Sequence, residues 1–319
     1  MLLAGVLALP STSAVRAVTC PALAGSLETE ATFWNSGLRE SSGIQSSLDH
    51  AGVLWIVEDS YNGPYLFAYS PEGDQLATYT LKGSFLRNVD WEAIGLDHRA
   101  GTDLLYIGDV GDNEANRDGA DRPLPALYRL AEPAISARQS PPIVGTISGV
   151  QKFKFRYFDR TDSSQLKPRD AEALFVDPRT SNIFVIWKDL RVIDGAPRIS
   201  RVFQLRDQDL RTGEVNHAVN VADPTGASDG VGTGPVAADI SRDGNWIVVK
   251  NYEEGFLWPR GDSQTVPQAL ASAPLAPCRV VVDGSESLTF EYRNGRWAGV
   301  LSLKEDRGGD PPLRSVSRL

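Results

Sequence analysis

The chain has 319 residues, of which 41% are hydrophobic and 23% charged. That is enough apolar material for one large core or two medium ones, and it excludes disorder and collagen. Thirty-two Lys and Arg against 41 Asp and Glu give a net charge of -9; no basic cluster with interleaved aromatics interrupts it, which argues against nucleic acid or an anionic membrane surface as partner.

In chain order, the first feature is the apolar run at residues 2–10, too short for the ~20 residues a membrane helix needs. It is followed by Ser11, Thr12, Ser13, Ala14, Val15, Arg16 and Ala17, small residues that suit signal-peptidase cleavage after Ala14 or Ala17. The reading is a leader at 1–17 and a single domain at 18–319, secreted or extracytoplasmic and monomeric. The two cysteines, Cys20 and Cys278, would tie the ends of that domain together if paired in an oxidising compartment; two free thiols are the alternative.

Beyond the leader, helical periodicity is nearly absent. Twenty-nine Gly and 20 Pro separate short β-branched and aromatic runs, an all-β pattern. Runs such as Val53-Leu-Trp-Ile-Val57, Leu104-Leu-Tyr-Ile107, Ile183-Phe-Val-Ile-Trp187 and Trp246-Ile-Val-Val249 read as strands buried on both faces. Each follows a segment of one kind: Glu40-Ser-Ser-Gly-Ile44, Asp90-Trp-Glu-Ala-Ile94, Asp170-Ala-Glu-Ala-Leu174, Val236-Ala-Ala-Asp-Ile240 and Gly284-Ser-Glu-Ser-Leu288. The first positions, 40, 90, 170, 236 and 284, lie 50, 80, 66 and 48 residues apart. These periods suit four-stranded propeller blades with insertions in the second and third, so the expected fold is a five-bladed β-propeller. A six-bladed ring, with a degenerate blade inside the 80-residue interval, is the alternative. The second blade is expected to have strands at 90–97, 104–108, 126–130 and 150–158, and the third at 170–177, 182–188, 199–205 and 215–221. The fifth has room for three strands only, and the segment at 27–34 is placed to supply its fourth and close the ring. Cys278, in the outer strand of the fourth blade, would then lie next to Cys20.

In such a blade the start of the inner strand and the end of the second strand open on one face. The third position of the five repeats reads Ser42, Glu92, Glu172, Ala238 and Glu286, three carboxylates and a hydroxyl facing one channel. Carboxylates crowded in a low-dielectric funnel raise their pKa values or recruit a cation, and an all-oxygen ring selects Ca²⁺. The second-strand ends supply Glu58, Asp59, Asp109, Lys188, Lys250 and Lys304. Lys188 and Lys250 are expected to clamp an anionic substrate against the metal while Asp109 or Asp59 polarises a water.

The motifs Arg39-Glu-Ser-Ser-Gly-Ile44, Leu54-Trp-Ile-Val-Glu-Asp59, Asp90-Trp-Glu-Ala-Ile94, Leu105-Tyr-Ile-Gly-Asp-Val-Gly111, Asp170-Ala-Glu-Ala-Leu174, Ile247-Val-Val-Lys250 and Ser285-Glu-Ser-Leu-Thr-Phe290 resemble the calcium-activated nucleotidase (apyrase) family. The resemblance implies a five-bladed propeller with one central calcium, for which Ser42, Glu92, Glu172 and Glu286 match the ligands. Ala238 stands where that family has Ser. Where the family binds nucleotide through Asp-Asp-Arg-Thr-Gly, this chain has Glu58-Asp-Ser-Tyr-Asn-Gly63, without Arg. The blade starts also resemble bacterial secreted propellers grouped with esterase-like phytases. The function expected is calcium-dependent hydrolysis of a phosphoester or phosphoanhydride. The rivals are a non-enzymatic module for an extracellular protein or glycan with a structural calcium, and a lactonase- or esterase-like hydrolase.

Weaker signals carry less. The acidic stretch at 109–121 offers a second calcium loop, yet counted from Asp112 it has Arg117 where an EF-hand needs Gly. Gly226-Ala-Ser-Asp-Gly230 fits a nucleophile-elbow string without the flanking strand and helix. His50, His98 and His217 lack zinc spacing. Arg260-Gly-Asp-Ser263 matches an adhesion tripeptide by sequence alone.

Overall fold

The computed structural model describes residues 19–34, 36–60, 62–99, 101–112, 123–166, 170–188, 192–193, 196–197, 200–222, 234–271 and 278–319. The expected leader, most of the acidic stretch (113–121) and the Gly226–Gly230 string lie outside these. The fold is all-β, 48% strand and 3% helix.

The strands are, in order, β1 (Glu28–Thr32), β2 (Ser41–Ser46), β3 (Leu54–Glu58), β4 (Tyr65–Tyr69), β5 (Gln75–Lys82), β6 (Trp91–Asp97), β7 (Leu104–Asp109), β8 (Ala126–Ala131), β9 (Ile143–Ser148), β10 (Gln151–Phe158), β11 (Ala171–Val176) and β12 (Ile183–Trp187). They continue as β13 (Val192–Ile193), β14 (Ala196–Pro197), β15 (Val202–Leu205), β16 (Val215–Ala222), β17 (Ala237–Ile240), β18 (Trp246–Lys250), β19 (Gly255–Pro259), β20 (Arg279–Val280), β21 (Thr289–Arg293), β22 (Arg296–Leu303) and β23 (Pro312–Ser317). A short α-helix, α1 (Val266–Leu270), starts at a capping box in which Thr265 and Gln268 bond each other's backbone N–H.

β2, β3, β4 and β5 form one antiparallel meander, extended by β9, which runs parallel to β5. β17 to β20 form another. In the last sheet β21, β22 and β23 are joined by β1 from the other end of the chain, Glu28 opposite Ser315 and Thr32 opposite Pro312. An eight-stranded sheet of order β11-β12-β15-β16-β10-β8-β7-β6 arises because the outer strands β10 and β16 pair in parallel. Its end strands β6 and β11 also touch, so it is nearly closed. The extra residues of the 80-residue interval thus add β9 to the first meander's outer edge.

The five repeat segments provide or precede β2, β6, β11, β17 and β21, each at one edge of its run of paired strands. β2 packs on β6, β6 on β11, β11 on β17, β17 on β21, and β21 back on β2. Close approach requires glycine here: a Cβ on Gly43 would come within 2.9 Å of Val57 and 3.0 Å of the Ile94 nitrogen. One core of aliphatic and aromatic residues, around Trp55, Trp91 and Tyr128, packs the first meander against the eight-stranded sheet, and another, around Tyr157, Trp187 and Phe203, fills the inside of that nearly closed sheet. Cys20 and Cys278 form a disulfide, Cα atoms 5.3 Å apart across 258 residues, and join the cluster that packs β18 and β19 against β21, β22 and β23.

Candidate metal centre

Three inner strands begin with the same irregularity. Ser41 pairs with Glu58 and Gly43 with Val57; Trp91 pairs with Asp109 and Ala93 with Gly108; Ala171 pairs with Trp187 and Ala173 with Ile186. Ser42, Glu92 and Glu172 are therefore each the unpaired residue of a β-bulge, a device that re-aims a side chain out of the ladder. β17 has no such bulge, and Ala238 pairs regularly with Val249. Glu286 comes from the segment just before β21.

These residues converge. Ser42, Glu92, Glu172, Ala238 and Glu286 line one narrow space with room for about one water molecule. Ser42 and the two bulge glutamates are buried. The Ser42 hydroxyl donates to the Trp91 carbonyl at 2.7 Å. Carboxylate oxygens of Glu92, Asp170 and Glu172 lie within 4.8 Å of one another, and so do those of Asp59, Asp90 and Glu92. At that spacing a pair of full charges repels by roughly 3 kcal/mol even at an effective dielectric constant of about 20.

The titration behaviour follows. Burial, then the charges of Glu172, Asp59, Asp90 and Asp170, holds the Glu92 carboxyl well above the ordinary range. Burial, then Glu286, does the same to Glu172 against the pull of Lys188. Burial, helped by Asp90 and Glu286 and opposed by the Ser60 N–H, pushes Asp59 up to about 7. Glu305, desolvated beside Glu286 and Asp59, is pushed up to about 8.

Lys188 is the cation of the cluster. Its ammonium donates to Glu172 Oε1 and to the Tyr252 hydroxyl at 2.9 Å, and lies 4.0 Å from Glu286. Tyr252 in turn donates to Glu286. Although burial works against its charge, Glu172 and Tyr252 outweigh that and raise the Lys188 pKa. The second oxygen of Glu172, Oε2, is buried with no hydrogen-bond partner. An orphaned carboxylate oxygen in an all-oxygen, acid-rich setting fits a hard divalent cation such as Ca²⁺. Gly111 supports the fit, since a Cβ there would collide with Glu92 Oε1 and with the Asp90 carboxyl.

Two residues expected on the rim stand elsewhere. Lys250 is 0% exposed and donates to the Ser285 carbonyl and, at 3.2 Å, to the Ser285 hydroxyl; burial brings its pKa down to about 8. It therefore props the segment carrying Glu286 and makes no clamp for an outside anion. Asp109 is buried, accepts from the Asp90 N–H at 3.1 Å and from the Tyr128 hydroxyl at 3.3 Å, and so positions Asp90. Asp59 does lie at the cluster, and Lys188 within it. Sequence reasoning missed Asp90, Asp170, Tyr252 and Glu305. The two aspartates open the second and third repeat segments, so their signal lay in the register itself.

Asp49, His98 and Asp103 form a separate group. His98 Nδ1 is 2.9 Å from Asp103 and its Nε2 is 3.0 Å from an Arg242 N–H. Arg242 can only donate, so Nε2 accepts and Nδ1 bears the proton given to Asp103, a tautomer that leaves no ring nitrogen for a metal.

No family model matches the chain, and no curated protein matches it. Among solved structures it is similar to an auxiliary nutrient binding protein from Bacteroides thetaiotaomicron, at 10% identity and a TM-score of 0.42, over 89% of this chain and 70% of that one.

Proposed function

We propose that the chain is a secreted five-bladed β-propeller, with β2, β6, β11, β17 and β21 as the inner strands and β1 as the closing strand, whose channel holds calcium. We propose further that it hydrolyses a phosphoester or phosphoanhydride at the channel mouth. The observation that carries this reading is the gathering of Glu92, Asp170 and Glu172, joined through Glu92 to Asp59 and Asp90, together with the orphaned Oε2 of Glu172. Glu92, Glu172 and Asp170 would hold the ion, with Ser42 and Glu286 beside them. Calcium supplies Lewis-acid polarisation of a phosphoryl oxygen when bound.

The chain's own residues have distinct parts in this scheme. Asp59, at the edge of the cluster and half-buried, takes the proton from the attacking water as the new P–O bond forms and the ester P–O bond breaks. Lys188, which donates to Glu172, would offer its ammonium to the charge developing on the phosphoryl group. Lys250 holds the Ser285 backbone and thereby the position of Glu286. The test is phosphate release from a panel of nucleotides and phosphomonoesters, with and without Ca²⁺. Turnover should need Ca²⁺ and fall at least 100-fold in Asp59→Asn. A chain that binds Ca²⁺ yet releases no phosphate would sink the hydrolase and leave the metal site standing.

A second reading, a non-enzymatic ligand-binding module with a structural calcium, is favoured by one observation. Lys250, expected to clamp an anionic substrate, is fully buried.

A further inference from the structure

At the opposite ends of the same strands lies a cavity of about 650 Å³. The inner-strand end of β17 and the start of β18 form one wall, and the β21–β22 hairpin forms the other. The hairpin closes through Asn294 and Gly295, both at positive φ (53° and 70°), the two-residue turn that Asn-Gly favours. A register shift between Glu291 and Tyr292 sets Tyr292 opposite Trp297. The Trp297 indole N–H donates to the Gly299 carbonyl at 2.8 Å, its ring meets Phe290 edge-on at 5.1 Å, and Trp246 stands 5.9 Å away. With its polar handle satisfied, Trp297 offers its ring as a platform. Both indoles are half-buried.

Three arginines surround that platform. Arg318 lies over the Trp297 ring at 4.8 Å, Arg296 follows the turn, and Arg242 donates to His98 and, at 3.5 Å, to the Leu48 carbonyl, both neutral acceptors. Among the described residues none of the three makes an ion pair. The one acid in the lining, Asp243, accepts from Ser241 at 2.6 Å and from Asn245 at 2.7 and 3.0 Å. Arg296 and Arg318, two guanidiniums without an ion pair among the described residues, in one cavity of a chain with net charge -9 mark a local site for an anion, and the guanidinium fork matches a carboxylate. An indole beside them suits a flat ring whose C–H face meets its π-surface. The volume falls in the range of small-molecule sites and exceeds what a lone inorganic ion needs.

We infer that this cavity binds an acidic saccharide, a uronic-acid unit whose pyranose ring lies on the Trp246–Trp297 pair and whose carboxylate bonds Arg296 and Arg318. The inference is independent of the metal centre. The test titrates the full chain with trigalacturonate in EGTA, following tryptophan fluorescence and heat, with maltotriose as the neutral control. Saturable binding of trigalacturonate, absent for maltotriose and weakened about tenfold in Arg296→Gln and in Arg318→Gln, is expected; both side chains are exposed, so these variants should melt like the parent. Four results would overturn it: no saturable binding, equal binding of maltotriose, binding indifferent to both substitutions, or binding that requires added Ca²⁺ and disappears in Glu172→Gln.

Discussion

The two ends of the inner strands carry opposite chemistry on one scaffold. At the starts, bulges and short preceding segments crowd Asp59, Asp90, Glu92, Asp170, Glu172, Glu286 and Glu305 together, with Lys188 paired to Glu172. At the finishes, around β17 and β21, three arginines and two tryptophans line an open cavity with one locally satisfied acid. The formal charge of the whole chain conceals this separation. The comparison also shows how burial decides a charged group's role: Lys250, sealed under the Glu286 segment, is structural, whereas Arg296 and Arg318 keep their donors exposed.

Breaking the disulfide should separate the two ends most strongly. Cys20 and Cys278 belong to the cluster that includes Trp246, Tyr292 and Trp297 of the arginine cavity. Removing a link that closes a 258-residue span is expected to cost on the order of 4–5 kcal/mol. Denaturant melts of the Cys20→Ser/Cys278→Ser double variant measure this, and trigalacturonate binding should suffer before Ca²⁺ binding does.

Next in size is Lys188→Met, which strips the bonded partner from a buried carboxylate. Leaving Glu172 uncompensated is expected to cost about 3–5 kcal/mol in EGTA, and saturating Ca²⁺ should recover much of it. Equal losses with and without Ca²⁺ would mean that Lys188 and the ion do not share Glu172.

The smallest effect is the pH slope. Asp59 and Glu305 titrate near 7 and 8 in the folded chain, above the ordinary carboxyl values of about 4. The folded state therefore holds protons that the unfolded state has released; this contribution is full below about pH 4 and is lost as pH rises through 7 and 8. In EGTA the melting temperature should fall between pH 5 and 8.5, and saturating Ca²⁺ should flatten that slope. A melting temperature that rises over this range without Ca²⁺ would contradict the crowding.

Much of this was legible in the residues. The repeat segments and their following apolar runs mark β2, β6, β11, β17 and β21 and their partners because a strand buried on both faces must be apolar, and the segment at 27–34 contains β1, which pairs with β23. The bulges were not legible: whether Glu92 pairs or is skipped depends on the register against β7, which a single strand's sequence does not carry. That is why Asp90 and Asp170, two residues before the bulge glutamates, were passed over as ligands. Lys250 reads as a rim charge because it ends a strand, and only the packing of the Ser285 segment over it reveals its burial. The arginine cavity escaped because its members come from three places, 242 from the β17–β18 connection, 296 from the β21–β22 hairpin and 318 from just past β23.

The central claim is that the carboxylate cluster is a calcium site, and calorimetric titration of the EGTA-stripped chain with Ca²⁺ tests it most directly. One ion should bind with release of protons from the raised carboxyls, Glu92→Gln and Glu172→Gln should each abolish the signal, and Ca²⁺ at 100 times its dissociation constant should add about 2.7 kcal/mol of stability. Absence of binding in the parent chain, or binding unchanged in both variants, would contradict it.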